Sequence, residues 1–472
     1  MLHAQLTREI RSGPSGPKVA AFFDVDRTLL AGFSGLAFFR ERLLSGRMAP
    51  RELAAVAAGG LGYAVGRTGF SALVAAATAT YRGLSETVLE ELGQEVFEKH
   101  LATEIYPESR ALVKAHQEMD HTVAIVSSAT PYQVDPLARD LGVEHVLCTH
   151  LEVKDGVFTG NVVRPTCFRK GKLVAARGFS DAHDVDLSRS YFYTDSCDDL
   201  PLLEAVRRPR PLNPDRRLAQ VARERGWLTR RFHSRGTPGV GDLMRSALVY
   251  GSIFPSALAG LSVGALNLSR RDAINVSASM WGDLATALSG VHLLVEGEQH
   301  LWSKRPAVFI FNHQSAIDAP LMVKLLRRDF TGIGKQEIRW NPIFGPIFQA
   351  AGIVFIDRAN TASAIEAMRP AVEALGQGLS IVIAPEGTRT PTPRLKRFKK
   401  GAFHLAMQAG VPIVPVVFRN ALDALPRNAL VVRPASIEAV VLPPVDTSGW
   451  TREGIDAEIA AIRNDFLEVL EG

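Results

Sequence analysis

The sequence predicts an α/β protein of two domains, each built on buried strands that deliver polar residues at their carboxyl ends. Three observations lead there. A chain of 472 residues is too long for one ordinary hydrophobic core. Short apolar runs such as Val19–Phe23 and Ala307–Phe311 stop abruptly, at Asp24 and just before His313, as strands of an open parallel sheet do where a ligand binds. Between the two groups of runs, Ser246–Ser269 holds no charged residue over 24 positions.

In chain order, residues 1–18 read as a flexible lead-in with Gly and Pro punctuation, and no secretory-type apolar run follows their charges. Residues 19–230 form the first domain. Its strands, Val19–Phe23, Thr122–Val126 and Tyr191–Thr194, alternate with helical stretches, and an all-helical insertion at about 32–105 follows the first of them. Within that insertion Leu53–Gly66 is unusually apolar, which a helix core and a lipid-binding surface explain equally well. Ten arginines and only two acids lie between Arg207 and Arg235, a composition that suits an anionic lipid surface or a solvated linker. Residues 231–245 are read as linker.

The charge-free stretch is long enough to cross a bilayer. Pro255, Gly251, Gly260 and Gly264 interrupt it, Arg270, Arg271 and Asp272 follow at once, and Ala273–Leu294 is amphipathic. The reading is a helical hairpin, 246–295, lying in the membrane interface, ahead of one true span or a merely buried pair. Residues 296–472 form the second α/β domain, with strands at Ala307–Phe311, Gly352–Ile356, Ser380–Ala384 and Val411–Phe418 and an amphipathic helix at about 452–470. Cys148, Cys167 and Cys197 are too few and scattered for a disulfide framework or a zinc site and fit a reducing cytoplasm.

The segment FFDVDRTLL sets Asp24, Asp26 and Thr28 just beyond a strand. Two carboxylates at a turning strand end can divide the work: one attacks phosphorus, the other moves a proton, and both help to hold Mg²⁺. An isolated D-x-D is more often an Asx turn or a helix cap. Here AIVSSAT adds the Ser127 hydroxyl at the next strand end, TDSCDDLPLL adds Asp195 and Asp199 at a later one, and Lys170 or Lys172 can neutralise a transferring phosphoryl group. This ordered set, over residues 19–227, resembles the haloacid dehalogenase superfamily, in particular its phosphoserine-phosphatase-like branch with a helical cap. The resemblance makes Asp24 the nucleophile and Asp26 the general acid and base. It assigns phosphate binding to Ser127 and the lysine, and the Mg²⁺ site to Asp24, Asp195 and the backbone carbonyl of Asp26. Asp199 would hold metal-bound water or orient the lysine. The resemblance to that branch, where a Cys commonly precedes the lysine at this spacing, makes Lys172 of CFRKGK the expected lysine. Ser128 and Asp198 read as bystanders, and the cap as the seat of substrate choice.

In VFIFNHQSAID, His313 stands at a strand end and Asp318 five residues on, which is not same-face helical spacing, so the pair meets only if the chain turns between them. His313 can then take a proton from a hydroxyl while Asp318 holds the other ring nitrogen. Asp318 also reads as the cap of a helix with Pro320 in its first turn, a role compatible with catalysis. GIVFIDR adds Arg358 at another strand end, APEGTR adds Glu386, Gly387, Thr388 and Arg389, and VPIVPV adds two prolines to a strand-like run. In this order, across about 246–440, the segments resemble 1-acylglycerol-3-phosphate acyltransferases. The resemblance makes His313 and Asp318 the dyad that activates a glycerol hydroxyl toward an acyl thioester. Lys335, Arg358 and Arg389 are candidates to grip the acceptor phosphate, in a pocket shaped by Glu386. The run Arg394–Lys400, five basic residues in seven, suits lipid headgroups or CoA phosphates, or is a solvated loop.

Together these readings predict a bifunctional enzyme on the cytoplasmic face of the cell membrane, peripheral or monotopic. It would acylate lysophosphatidic acid from acyl-CoA or acyl-carrier protein and hydrolyse a phosphomonoester, a lipid phosphate or a soluble one such as phosphoserine or glycerol 3-phosphate. The alternative for the first domain is a lipid-phosphate-binding regulatory module. An anionic membrane is the expected partner. Nucleic acid is not, since no recognition fold or aromatic interleaving accompanies the arginines.

Overall fold

Four fully buried residues, Ala20–Phe23, form strand β1, around which the first of two units is assembled. The computed structural model describes residues 2–48, 54, 77–340, 344–356 and 368–471, and the units comprise Met1–Thr237 and Pro238–Gly472. After β1 come β2 (Thr122–Val126), β3 (His145–Leu147), the antiparallel pair β4 (Leu151–Lys154) and β5 (Val157–Val162), β6 (Tyr191–Thr194) and β7 (Arg208–Pro211). The main sheet runs β3-β2-β1-β6-β7, all parallel. Ala21 and Phe23 enter one core and Ala20 and Phe22 the other, so β1 is covered on both faces and reads as an unbroken apolar run. The chain leaves β1 to one side for β2 and returns on the other as β6. That reversal opens a crevice at the carboxyl ends of β1 and β6.

Two expectations for this unit are corrected. Residues 1–18 are not a loose lead-in: Leu2–Arg11 is helical, Ile10 is buried, Arg11 pairs with Glu118 at 2.9 Å and Glu9 pairs with Arg210. Nor is the arginine-rich stretch a linker or one uniform basic surface. Its start is strand β7, which the sequence disguises as Arg-Pro-Arg-Pro. Prolines cannot donate to a ladder, and β7 tolerates them because it is the sheet's edge. Residues Arg216–Glu224 form a helix capped by Asp215, whose carboxylate accepts the Leu218 N–H at 2.8 Å. In the inserted region the described residues are helical at Ser34–Leu44 and Glu86–Val96; Leu53 and residues 55–66 of its apolar segment lie outside the described residues.

The second unit contains β8 (Val291–Glu296), β9 (Val308–Phe311), β10 (Phe330–Lys335), β11 (Val354–Ile356), β12 (Ser380–Ile383), β13 (Ile413–Arg419) and β14 (Ala435–Val441). Their order is β11-β10-β12-β9-β13-β14-β8, with only the β13–β14 pair antiparallel. Strand β9 is central. Phe309 and Phe311 enter one core, Val308 and Ile310 the other. The last helix is Ile455–Glu471.

Ahead of this sheet, Val240–Gly251 and Ile253–Asn267 form a helical run that is long and apolar enough to cross a membrane. Helix formation therefore begins inside the segment expected as linker. The next helix, Arg270–Ser289, is capped by Ser269, which accepts the Asp272 N–H at 3.1 Å. It ends at Gly290, short of the expected Leu294, and Val291–Glu296 pairs with β14 as an edge strand. Gly260 is what allows the two helices to touch, because a Cβ there would fall 1.9 Å from Ser277 Oγ. Phe254, Leu258, Leu261, Leu266 and Leu268 remain exposed.

A chain of neutral hydrogen bonds ties the amino-terminal segment to the first sheet. His121 Nε2 faces the Pro14 carbonyl at 2.7 Å and so carries the proton. His121 Nδ1 therefore accepts from His116 Nδ1 at 2.7 Å, and His116 Nε2 accepts from the Tyr193 hydroxyl at 2.9 Å. Burial, and then the neighbouring His121, hold His116 well below the usual histidine range. The unfolded chain takes up a proton below pH 6.5 that the folded chain refuses, so stability present above that pH is lost as pH falls. The unfolding free energy of the first unit, from denaturant titration, should drop on going from pH 7 to pH 5.5, by up to about 1.4 kcal/mol per pH unit for one proton, and His116→Phe should flatten that slope.

Candidate active sites

In the first unit the Asp24 N–H continues the ladder to the Tyr193 carbonyl at 2.9 Å, which sets Asp24 at the mouth of the crevice. Lys172, 3% exposed, donates to Asp24 Oδ1 at 2.8 Å and to Asp199 Oδ2 at 2.7 Å. It arrives there because Gly171 lies against the Thr166 carbonyl, where a Cβ would sit 1.9 Å from the oxygen. Lys170 is exposed, so the structure places Lys172 and not Lys170 in the cluster. Asp199 also accepts the Thr194 hydroxyl at 2.6 Å and thereby orients the lysine. The Asp26 carboxylate accepts the Ser34 N–H at 2.7 Å, and Arg27 reaches Asp195 at 3.2 Å. The Ser127 hydroxyl, at the end of β2, accepts the Ala129 N–H at 3.2 Å. Asp198 pairs outward with Arg169 at 2.9 Å.

Burial pushes Asp24 up to about 7, with Lys172 pulling the other way and Asp199 and Asp26 adding to the rise. Burial likewise lifts Asp195 to about 8, helped by Asp24. Burial works against the Lys172 charge, but Asp199 and Asp24 outweigh it and hold the ammonium above its ordinary value. Asp26 is raised by burial and pulled back in part by Ser34. Three buried carboxylates thus face one buried cation, and the cluster is short of positive charge. Hard oxygen donors in that condition fit Mg²⁺. Among the described residues no three His, Cys, Asp or Glu side chains form a ready-made ligand set. Mg²⁺ does not need one, since it commonly takes one or two carboxylates and keeps several waters.

In the second unit the chain turns sharply after β9. Asn312 extends the pairing of β9 with β13 through its side chain, donating to the Phe418 carbonyl at 2.8 Å and accepting the Phe418 N–H at 2.7 Å. His313 follows, with Nδ1 at 2.9 Å from Asp318 Oδ2. Asp318 is fully buried in the first turn of the helix Asp318–Leu326. Its carboxylate reaches backward, and Oδ2 also accepts the N–H groups of Gln314 and Ser315, each at 2.9 Å. An acceptor on that side fixes the proton on Nδ1 and leaves Nε2 as the free base. Glu386, beyond β12, accepts the backbone N–H of His313 at 2.8 Å and of Lys396 at 2.9 Å. Burial raises its pKa and those two N–H groups pull it down. The Thr390 N–H donates to the His313 carbonyl at 3.0 Å, so Arg389 is one residue from a direct contact with the dyad's backbone. Arg389 is half-buried and makes no hydrogen bond or ion pair among the described residues. Gly387 turns with φ +76° beneath the Lys399 side chain, and Thr388 is partly exposed. Arg358 and the Lys335 side chain lie outside the described residues.

Sequence reasoning missed four contributors: Ser34, Thr194, Asn312 and Thr390. Asn312, next to His313, was within reach of a sequence argument. The backbone donors Ser34 and Thr390 carry no signal in residue type.

The fold and the two candidate sites define a chain of two α/β units, an acyltransferase preceded by a hydrolase-like domain. Residues 21–204 match the haloacid dehalogenase-like hydrolase family, and residues 292–419 match the acyltransferase family. A 1-acyl-sn-glycerol-3-phosphate acyltransferase of Limnanthes alba is 36% identical over 197 residues, covering 42% of this chain and 69% of the plant protein. A Streptomyces azureus protein named for inhibition of morphological differentiation is 33% identical over 242 residues, covering 49% of this chain and 87% of that one. Among solved structures, the Thermotoga maritima 1-acyl-sn-glycerophosphate acyltransferase aligns with a TM-score of 0.41 at 22% identity, over 49% of this chain and 97% of that one. The chain belongs to the 1-acyl-sn-glycerol-3-phosphate acyltransferase family and carries a haloacid dehalogenase-like hydrolase domain at its amino-terminal end.

Asp318→Asn keeps an oxygen for the three donors and removes only the charge. It should lower acyl-transfer kcat by about 10²–10⁴-fold with little change in Tm, as read by thioester consumption and differential scanning fluorimetry. Lys172→Met should abolish phosphomonoester hydrolysis while leaving thioester consumption intact, measured on one preparation.

Proposed function

We propose that this chain is a membrane-associated bifunctional enzyme of glycerolipid synthesis, transferring an acyl group to 1-acylglycerol-3-phosphate and removing phosphate from a lipid phosphomonoester. The observation that carries the first activity is the His313–Asp318 pair, with Asp318 Oδ2 also accepting two backbone N–H groups and Nε2 left as the base. His313 takes the proton of the acceptor's free glycerol hydroxyl as that oxygen attacks the thioester carbonyl. Asp318 stabilises the imidazolium, and the proton passes to the departing thiolate as the carbon–sulfur bond breaks. Arg389 is the cation proposed to hold the acceptor phosphate, since a half-buried guanidinium with no partner among the described residues, next to Thr390, which bonds the His313 carbonyl, suits bidentate phosphate binding. Lys335 and Arg358 remain proposed contributors, and acyl-CoA or acyl-carrier protein is the proposed donor.

In the first unit, Asp24 attacks phosphorus while Asp26 gives its proton to the leaving alkoxide, forming an aspartyl-phosphate. Asp26 then takes a proton from the water that releases phosphate. Raised by burial, Asp26 suits the acid role. Lys172 and Ser127 hold the phosphoryl oxygens. Mg²⁺, held by Asp24, Asp195 and the Asp26 carbonyl, would supply positive charge to the phosphoryl group when bound. The exposed apolar face of Val240–Asn267, followed by Arg270 and Arg271, supports attachment to an anionic membrane surface, and the cytoplasmic face is the proposed side.

The two activities are proposed to act in series, phosphatidic acid from one being dephosphorylated by the other. With labelled acyl-CoA and lysophosphatidic acid, wild-type protein should yield labelled diacylglycerol, Asp24→Asn should accumulate labelled phosphatidic acid, and His313→Ala should make neither. Phosphate release from phosphoserine alone, with none from either lipid phosphate, would sink the lipid assignment.

A further inference from the structure

The helix Ser34–Leu44 buries Phe38 but is otherwise inside out. Glu41 and Arg42 are buried within the unit, Glu41 against Lys99 at 2.9 Å and His100 at 2.7 Å, and Arg42 against the Thr80 hydroxyl at 2.9 Å. Its leucines face outward instead: Leu36 is 64%, Leu43 43% and Leu44 69% exposed, and Phe33, just before the helix, is 56% exposed. The spacings 33, 36, 40, 43 and 44 put these residues on one stripe, with Arg40 as its single charge. A helix that buries ions and exposes leucines is not stabilised by that arrangement, so the stripe needs another explanation.

Its position supplies one. The stripe starts at the catalytic face, since the Ser34 N–H is bonded to Asp26 Oδ1, and Gly35 faces Gln133 at the start of the helix that follows the Ser127 loop, where a Cβ would lie 3.7 Å from Nε2. Asp26 is the residue that protonates the leaving oxygen, so whatever is esterified to the phosphate emerges beside Phe33. From Phe33 to Leu44 the helix runs about 16 Å, roughly the length of an extended chain of a dozen carbons.

We infer that Phe33, Leu36, Leu43 and Leu44 form the track for the hydrocarbon chain of the phosphatase substrate, making this helix the specificity-determining element for the leaving group. The inference rests on the phosphatase reading of Asp24 and Asp26. Recognition runs along a single chain lying on the stripe, and burial of its methylenes favours long-chain substrates by a constant factor per carbon. Full burial gives about fourfold per methylene, and contact on one side about twofold.

The full-length protein can be assayed for phosphate release from n-alkyl phosphates of four to twelve carbons, each below its critical micelle concentration. Wild type should show kcat/KM rising about twofold per methylene, mainly through KM, and the double variant Leu36→Ser/Leu44→Ser should reduce that factor toward one. Both changes are at exposed positions, and retained acyl transfer and an unchanged melting profile verify folding. A flat series in wild type, or an unaltered slope in the variant, overturns the inference. So does a flat monomer series accompanied by activation on phosphatidate vesicles, which would make the stripe a bilayer contact. If neither alkyl phosphates nor p-nitrophenyl phosphate is hydrolysed, the phosphatase reading itself fails; if short phosphates are turned over with no chain-length dependence, only the track is lost.

Discussion

A carboxylate removed from water costs several kcal/mol unless donors converge on it, and both sites in this chain are built around that requirement. Asp318 and Asp199 are almost wholly buried, and each meets donors near the edge where parallel strands end. For Asp318 these are two backbone N–H groups and an imidazole; for Asp199, an ammonium and a hydroxyl. Such convergence depends on strand register. The Asp24 N–H reaches the Tyr193 carbonyl, and the Asn312 amide closes on both polar groups of Phe418. A slip of one residue would turn each catalytic side chain to the wrong face of its sheet.

The same edge serves two electrostatic regimes. In the first unit three acids crowd one lysine, and the raised pKa values of Asp24 and Asp195 mark a site that wants a further cation. In the second, the dyad is a charge-balanced pair once the histidine is protonated, and Glu386 is spent on two backbone N–H groups rather than on chemistry. Glu386 therefore acts as a brace, joining the turn after β9 to the loop after β12. The first site concentrates negative charge that must be offset. On the proposed mechanism the second generates charge only during reaction, where its preorganised buried acid stabilises it.

Most of the central strands were legible because burial on both faces writes a continuous apolar run, as in Ala20–Phe23 and Val308–Phe311. The edges were not. Strand β7 is Arg-Pro-Arg-Pro, β10 carries two glycines, and β8 and β14 alternate in burial as half-covered strands do. The amino-terminal helix was misread for a related reason: its hold on the unit comes from Ile10, an ion pair to β7 and the His121 bond to Pro14, all contacts distant in sequence.

By itself the sequence determined which family each domain resembles, because candidate residues of fixed type recur in order beyond apolar runs. It also determined the two-unit organisation, through length and the charge-free stretch between the strand groups. Only the tertiary structure decided which lysine joins Asp24, that Asp199 orients it, and that Asp318 reaches backward to two N–H groups instead of capping forward. It alone revealed that the helix after Asp26 is inverted, since local pattern cannot say which face of a helix its neighbours will cover. The physical reason is common to all of these. Residue type and spacing are properties of the sequence, whereas the direction of a side chain and the donors it meets are set by the folded path of the chain. That holds whether the partner is three residues away, as Ser315 is from Asp318, or 148, as Lys172 is from Asp24.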